Sequence, residues 1–131
     1  MEDNGSETNS ILDLTQKLLD SFAKKDWETY MNLVDEKSTS IDPESSNNFI
    51  EGLDFYKFYF DLPNGRINKI KENIIQPNLK FYGDIAIICF KRLTQVFTDD
   101  NKRSETKSCS ETRIWKKVGN NWKLVHSHRS F

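Results

Sequence analysis

The sequence has few cysteines and no apolar run of membrane-spanning length. Its two cysteines, Cys89 and Cys109, are too few for a disulfide framework and lack the C-x-x-C spacing of metal or redox sites. The longest apolar run, Ile85 to Phe90, is far shorter than the roughly 20 residues that a helix needs to span a bilayer. The first residues show no secretory signal pattern. We therefore expect a cytoplasmic protein in a reducing compartment, with no membrane partner.

An excess of charge of one sign is also missing. The 131 residues include 19 Lys and Arg against 20 Asp and Glu, so the formal net charge is −1. Such a chain has no overall field that would draw it to nucleic acid. Trp115 and Trp122 could stack on bases, but Lys116 and Lys117 are the only adjacent basic pair beside them. Core packing explains the two tryptophans more simply, and we predict no nucleic-acid partner.

Motifs of catalysis and cofactor binding are absent as well. The sequence contains no Gly-rich phosphate loop and no H-E-x-x-H motif. Strand alternation predicts that His126 and His128 share a face with Trp122 and Leu124, where the two histidines could bind a metal. No Cys, Asp or Glu in the pattern completes a set of three or four ligands. We expect structural histidines, no metal, no cofactor and no enzymatic activity.

Aromatic residues, in contrast, are plentiful. Nine Phe, four Tyr and three Trp supply bulky core material to a chain whose mean hydropathy is −0.72. The length fits one domain with its own core. Residues 1–9 are small, polar and acidic, and this composition predicts a disordered tail. We therefore place a single folded domain at residues 10–131.

Apolar residues at helical spacing predict three helices in the first half of the chain. The first begins at an N-cap at Ser10, and Asp26 caps a short second helix. A third opens at Ser45 or Ser46 and extends through Tyr56. Its last turns carry more aromatic residues than one small core can readily bury: Phe55, Tyr56, Phe58, Tyr59 and Phe60.

The second half of the chain predicts an antiparallel sheet. Residues 106–118 and 121–130 are expected to pair across a turn at Gly119-Asn120. Residues 84–97 form a segment about twice as long as a typical strand, which indicates a bend or bulge that curves the sheet. Cys89 lies in the apolar part of this segment, so we expect it in the core. Helices followed by such a sheet are typical of the α+β class.

Three arginines fall on predicted strands: Arg92, Arg113 and Arg129. A sheet curled around helices has a concave face, and arginines on that face would form a pocket for a carboxylate, because an unpaired buried charge is costly. Alternatively, each arginine reaches solvent or pairs with an acidic residue. The spacing alone favours this second interpretation, in which the acidic partners would be Glu51, Asp54 or Glu111.

Three segments carry a specific resemblance to a known family. They are EGLDFYKFYF at 51–60, ETRIW at 111–115 and WKLVHSHRS at 122–130. Together they resemble the association, or hub, domain of calcium/calmodulin-dependent protein kinase II, and the likeness covers roughly residues 11–130. The resemblance implies a nuclear transport factor 2-like fold, in which a strongly bent antiparallel sheet wraps around a long helix to form a cone.

The resemblance also implies a homo-oligomerisation scaffold. Hubs of this family pair into dimers that stack as two rings, typically dodecamers or tetradecamers, and they hold kinase domains at high local concentration. A stand-alone homologue could co-assemble with the hubs of a full-length kinase. The chain begins with a short tail instead of a kinase domain, so we expect either such a homologue or a segment of a longer protein.

A ligand site is the other implication of the resemblance. Arg92, Arg113 and Arg129 correspond to the family's pocket arginines, which implies binding of small carboxylates or of acidic or phosphorylated side chains. Tyr56 stands where the family has a histidine, so it belongs to the implied site and alters its selectivity. A ligand in this pocket could shift the stability of the assembly. A third alternative is a small isomerase or dehydratase, as found in the wider superfamily, although a fold does not confer that chemistry.

Overall fold

Three helices and six strands make up the computed structural model within the residues that it describes, which are 4–63, 67–100 and 102–130. The helices are α1 (Asn4–Lys24), α2 (Trp27–Leu33) and α3 (Asp54–Asp61). The strands are β1 (Val34–Ile41), β2 (Phe49–Glu51), β3 (Ile67–Tyr82), β4 (Ile85–Thr98), β5 (Ser104–Val118) and β6 (Asn121–Ser130).

The six strands form one open, strongly curved sheet in the order β2-β1-β6-β5-β4-β3. Neighbouring strands are antiparallel except β1 and β6, which run parallel. The α+β class and the strongly bent sheet are therefore confirmed, and the sheet departs from the expected antiparallel pairing only at β1 and β6. Parallel neighbours need a long connection, and the chain between β1 and β6 supplies it.

Helix α1 begins at Asn4, well before the predicted cap at Ser10. Residues 4–9, which we expected in the disordered tail, continue the helix, and residues 1–3 lie outside the described residues. Once a helix is nucleated, each added residue gains a hydrogen bond at little further cost. Glu7 in the first turn also favours this extension, because it faces the positive end of the helix dipole and pairs with Lys117 of β5 at 3.8 Å.

Helix α2 begins where the sequence predicts. Asp26 is its N-cap and accepts hydrogen bonds from the Thr29 hydroxyl (2.6 Å) and backbone N–H (3.2 Å). These two bonds hold the pKa of the Asp26 carboxyl below its usual value. The cap separates α2 from α1 and so fixes the sharp turn between the two helices.

Helix α3 begins at Asp54, later than the predicted opening at Ser45 or Ser46. The chain instead makes a single 3₁₀ turn at Pro43–Ser45, in which the Asp42 carboxylate accepts the Ser45 N–H at 3.1 Å. Ser46 then takes a left-handed conformation (φ 56°), which ends the turn. Residues 49–51 are thereby released to pair with β1 as strand β2.

Strand β3 contains the bulge that bends the sheet. Its register against β4 shifts between Ile75 and Asn78, and Gln76 adopts a positive φ of 50°. Pro77, beside it, has no N–H to donate to the ladder. The irregularity that the length of residues 84–97 suggested therefore lies in the neighbouring strand.

The main core fills the space between α1 and the concave face of the sheet. Ile11 and Leu18 of α1 are fully buried, as are Ile88 of β4 and Trp115 of β5. The indole N–H of Trp115 donates to Thr15 Oγ1 at 3.2 Å, so its polar atom is satisfied inside the core. This packing confirms the core role predicted for Trp115 and fixes α1 across the sheet.

A second cluster of aromatic rings joins α3 to the end of α1 and to α2. Phe60 of α3 contacts Phe22, Trp27 and Tyr30, with ring centroids 4.8–5.1 Å apart. Phe58, on the outer side of α3, is 61% exposed. The core of one chain therefore buries only part of the aromatic excess on this helix.

Cys89 is exposed, so the prediction that it lies in the core is wrong. Ala86, Ile88 and Phe90 of β4 are buried on the concave face. Successive side chains of a strand point to opposite faces, and Cys89 therefore lies on the convex face. The apolar composition of this segment hid the alternation.

Candidate functional site

A cavity of about 240 Å³ opens on the concave face of the sheet beside α3. It brings together residues from three adjacent strands and from the middle of α3. All four residues of the predicted ligand site line it: Arg92 of β4, Arg113 of β5, Arg129 of β6 and Tyr56 of α3. The structure thus places the predicted residues in one site, and whether they bind a ligand stays a prediction.

The strand register explains why the arginines meet. Arg113 lies opposite Ser127, and Glu111 lies opposite Arg129, so these four side chains share the concave face of β5 and β6. Arg92 lies one strand further along, on the same face of β4. All three arginines therefore line the cavity on this face.

A bulge in β6 reverses the expected orientation of the two histidines. Ile114 pairs with His126 but Trp115 pairs with Leu124, so Val125 is an extra residue in β6. The alternation is shifted there, and Ser127 follows Leu124 onto the concave face. The expectation that His126 and His128 share a face with Leu124 is therefore wrong.

His126 on the convex face has its own partners. Its Nδ1 is hydrogen-bonded to Thr39 Oγ1 at 2.7 Å. Burial, together with the neighbouring His128, lowers the pKa of His126. No group of three or more His, Cys, Asp or Glu that could hold a metal ion occurs in the part of the chain that the structure describes.

The inner end of the cavity is a buried chain of alternating charges. Arg92 donates from Nε to Glu72 Oε2 (2.6 Å) and from Nη1 to Glu111 Oε2 (3.1 Å), and its Nη2 pairs with Glu72. Arg113 donates to Glu111 Oε1 from Nη2 (2.8 Å) and Nε (3.1 Å). All four side chains are buried. Because water is excluded, each buried charge is stabilised by the opposite charges of its neighbours.

The ionisation states of these buried side chains follow from the same contacts. Burial alone would raise the pKa of Glu111, but Arg113 and Arg92 outweigh it and hold the pKa of Glu111 below its usual value. For Arg92, burial alone would lower the pKa. The charges of Glu111 and Glu72 outweigh the effect of burial, so the pKa of Arg92 is raised. Both groups are thus kept ionised.

Arg129 lies at the mouth of the cavity and pairs with Glu44, which belongs to the 3₁₀ turn. The side chains are 20% and 39% exposed, so this pair is more accessible than the inner ones. Burial lowers the pKa of Arg129, and the charge of Asp42 opposes that effect. Of the ion-pair partners expected from spacing, Glu111 is confirmed, while Glu51 and Asp54 form no ion pair within the described residues.

Tyr56 closes the wall between α3 and the 3₁₀ turn. Its hydroxyl donates to Asp42 Oδ2 and is also hydrogen-bonded to Ser40 Oγ. Burial, then the bond to Asp42, raises the pKa of Tyr56, so the phenol stays protonated and can donate. Asp42 also caps the 3₁₀ turn that carries Glu44, and Tyr56 therefore helps to position both carboxylates.

Replacing Tyr56 with phenylalanine should lower the free energy of unfolding by about 1–3 kcal/mol, because Asp42 loses a buried hydrogen-bond donor. Urea unfolding at one fixed protein concentration measures the change. Tyr82→Phe is the matched control, since Tyr82 is 60% exposed. Equal stabilities for the two variants would show that the Tyr56 hydroxyl has no structural role.

Sequence reasoning missed three carboxylates of this site: Glu72, Asp42 and Glu44. A signal for Glu72 was present, because on β3 it alternates with Ile70 and Ile74 and so falls on an otherwise apolar face. Asp42 and Glu44 come directly before Ser45 and Ser46, where we expected the third helix to begin. Their position depends on the capped turn described above.

Comparison with known proteins gives a consistent result for nearly the whole chain. The sequence model of the calcium/calmodulin dependent protein kinase II association domain matches residues 7–131. The type II kinase of Caenorhabditis elegans is 39% identical over 95% of this chain, and the alpha chain of Drosophila melanogaster is 34% identical over 97%. The match spans only 17% and 24% of those two proteins, respectively.

Solved structures agree with the sequence comparison. The association domain of the C. elegans kinase superposes with a TM-score of 0.87 at 36% identity, covering 97% of each chain. The S. rosetta hub gives 0.83 at 35% identity, covering 93% of this chain and 94% of that one. A nuclear transport factor 2-like protein from Salmonella enterica gives 0.78 at 20% identity, covering 97% and 92%, which supports the predicted fold alone. No described helix is long and apolar enough to cross a membrane.

Proposed function

Because this chain belongs to the calcium/calmodulin-dependent protein kinase II association-domain family, we propose that it holds copies of itself together in a homo-oligomeric scaffold. The observation that carries the proposal is the match to structures named as association and hub domains over nearly all of the chain. Large apolar side chains that a single copy leaves exposed support it: Phe49 and Phe58 (61% each), Val118 (55%) and Met31 (47%).

We further propose the finer arrangement that the resemblance implies. Dimers would stack into two rings as a dodecamer or tetradecamer, and the chain could enter mixed rings with the hubs of a full-length kinase. Co-purification of this chain with such a kinase tests the mixed assembly. The cytoplasmic location stays a prediction.

Self-association should depend on protein concentration by mass action. In sedimentation velocity, we expect species much heavier than the 15.4 kDa chain at micromolar concentration, with lighter species emerging on dilution. The melting temperature should fall on dilution for the same reason. A single sedimenting species of one chain at every concentration would contradict the scaffold.

A second proposed function is the binding of a small carboxylate, or of an acidic or phosphorylated side chain, in the cavity. The observation in its favour is that Arg92, Arg113, Arg129 and Tyr56 line one concave site that opens to solvent. Guanidinium groups are suited to carboxylates and phosphates because their N–H groups match the oxygen geometry. An occupied cavity would stabilise the folded chain and its assembly.

We expect millimolar propanoate to raise the melting temperature of the wild-type protein, because a ligand that binds only the folded state stabilises it. The gain is about 2.7 kcal/mol at 100 times the dissociation constant. Arg129→Gln should abolish the rise, since it removes a donor at the cavity mouth. Arg103→Gln, in an exposed loop, should leave it unchanged. An equal rise in the two variants would show that the carboxylate acts outside the cavity.

We do not propose an enzyme. A putative dehydratase of the nuclear transport factor 2-like family superposes with a TM-score of 0.77, but at 13% identity that likeness concerns the fold alone. In this chain, His126 and His128 lie on the convex face, away from the cavity. The arginines and carboxylates at the inner end are bound to each other, which suits structure and binding better than proton transfer.

A further inference from the structure

The lining of the cavity carries both signs of charge in equal number. Arg92, Arg113 and Arg129 are matched by Asp42, Glu44 and Glu111. Behind the lining, Glu72 adds another carboxylate against Arg92. A ligand with a negative charge alone therefore meets no positive excess, although three arginines surround it.

Donors and acceptors are also arranged by depth. At the inner end Arg92 uses Nε, Nη1 and Nη2 on Glu72 and Glu111. Arg113 is only 4% exposed, and its Nη1 makes no hydrogen bond to any residue that the structure describes. This nitrogen is the donor that the inner cavity leaves for a ligand oxygen.

The mouth of the cavity offers one accessible carboxylate, that of Glu44. Glu44 is the most exposed member of the ionic network, and Asp42 lies beside it in the same capped turn. A ligand carboxylate that engages Arg129 must compete with Glu44 for the same guanidinium group. A cationic group on that ligand would take the place of Arg129 beside Glu44, whereas a simple anion would leave Glu44 facing a second negative charge.

We propose that the cavity selects a small zwitterion, a molecule with one carboxylate and one ammonium group. Its carboxylate binds Arg113 and Arg129, and its ammonium group binds Glu44 at the mouth. The volume of about 240 Å³ suits a molecule of amino-acid size. This inference rests on the carboxylate-binding function proposed above and specifies its ligand class.

Isothermal titration calorimetry with three matched probes tests the selectivity. The probes are 3-aminopropanoate, which carries both groups, and propanoate and ethylamine, which carry one each. Wild-type protein should bind 3-aminopropanoate at least about tenfold more tightly than either of the others, because the second charged pair is made in a partly desolvated site.

Glu44→Gln should change this preference in a defined direction. The variant removes a carboxylate at the mouth and releases Arg129, so 3-aminopropanoate should bind several-fold more weakly and propanoate several-fold more tightly. Glu44 is partly exposed, so the variant should fold, which the wild-type melting curve and near-ultraviolet dichroism would confirm. Glu105→Gln, at an exposed residue of β5, is the matched control and should leave all three affinities unchanged.

The outcomes separate the two proposals. If propanoate binds as tightly as 3-aminopropanoate, or if Glu44→Gln leaves their ratio unchanged, the zwitterion inference is overturned and carboxylate binding stands. If no probe binds at millimolar concentration, both are overturned.

Discussion

Replacing Glu111 with alanine is expected to lower the free energy of unfolding by about 3–5 kcal/mol, one of the largest effects of any single substitution in this chain. Glu111 is 3% exposed and accepts hydrogen bonds from both Arg92 and Arg113. Without it, Arg113 keeps no carboxylate partner among the described residues, and a buried guanidinium group is left uncompensated. Guanidinium chloride unfolding at one fixed protein concentration measures the loss.

Glu105→Ala is the matched control for this substitution. It removes the same side chain from the same strand, but Glu105 is 66% exposed and its contact with Lys107 is 3.8 Å long, so the change should be within about 0.5 kcal/mol. Similar losses for the two variants would show that the buried charge chain contributes nothing specific.

The pH dependence of stability should differ between wild type and Glu111→Ala. The folded pKa of Glu111 lies below its unfolded value, so its stabilisation is present above about pH 4.3 and is lost as the pH falls through the folded pKa. The gap in stability between the two proteins should therefore narrow in acid. A gap that stays constant down to the acid transition would contradict the ionised pairing.

Replacing Trp115 with alanine should also cost about 3–5 kcal/mol, because it leaves a cavity at the centre of the main core. Trp115 is fully buried, and its indole N–H donates a hydrogen bond to Thr15 Oγ1 of α1. The substitution therefore weakens the contact that holds α1 across the sheet. Thermal and denaturant unfolding would both report the loss.

Lys116→Ala provides the comparison for Trp115, since the neighbouring residue on β5 lies on the opposite, exposed face. Its effect should stay within about 0.5 kcal/mol. If Lys116→Ala lowered the free energy of unfolding as much as Trp115→Ala, the assignment of the core to the concave face would be contradicted.

Local patterns in the sequence were enough to predict several elements of this fold. The hairpin between β5 and β6 follows from Gly119, whose φ of 63° suits the turn, and from the alternation on either side. The start of α2 follows from the capping ability of Asp26. Each of these features depends on residues close together in the chain.

Other features depend on contacts that no local pattern contains. The apolar spacing after Ser45 predicted a helix, but the left-handed conformation of Ser46 ends the 3₁₀ turn and the pairing of β2 with β1 holds residues 49–51 in a strand. The convex position of His126 depends on one extra residue, Val125, in the ladder between β5 and β6. Bulges of this kind shift every later side chain to the other face, so a short alternation pattern cannot reveal them.

The candidate site shows the same division. Strand positions singled out its three arginines but favoured solvent exposure or ion pairs with acidic residues, and only the family resemblance favoured a ligand pocket. The structure contains both features, because Arg92 and Arg113 line the cavity and are also paired with Glu111. Glu72 was missed because its contact with Arg92 depends on the pairing of β3 with β4, which no local pattern contains.

The central claim is that this chain is a self-associating hub. Gel filtration coupled to multi-angle light scattering, at micromolar concentration of the 131-residue chain, tests it most directly because it measures mass without reference to shape. We predict a mass that is a high multiple of 15.4 kDa, consistent with stacked rings of dimers. A mass of 15.4 kDa, corresponding to a single chain, would contradict the claim.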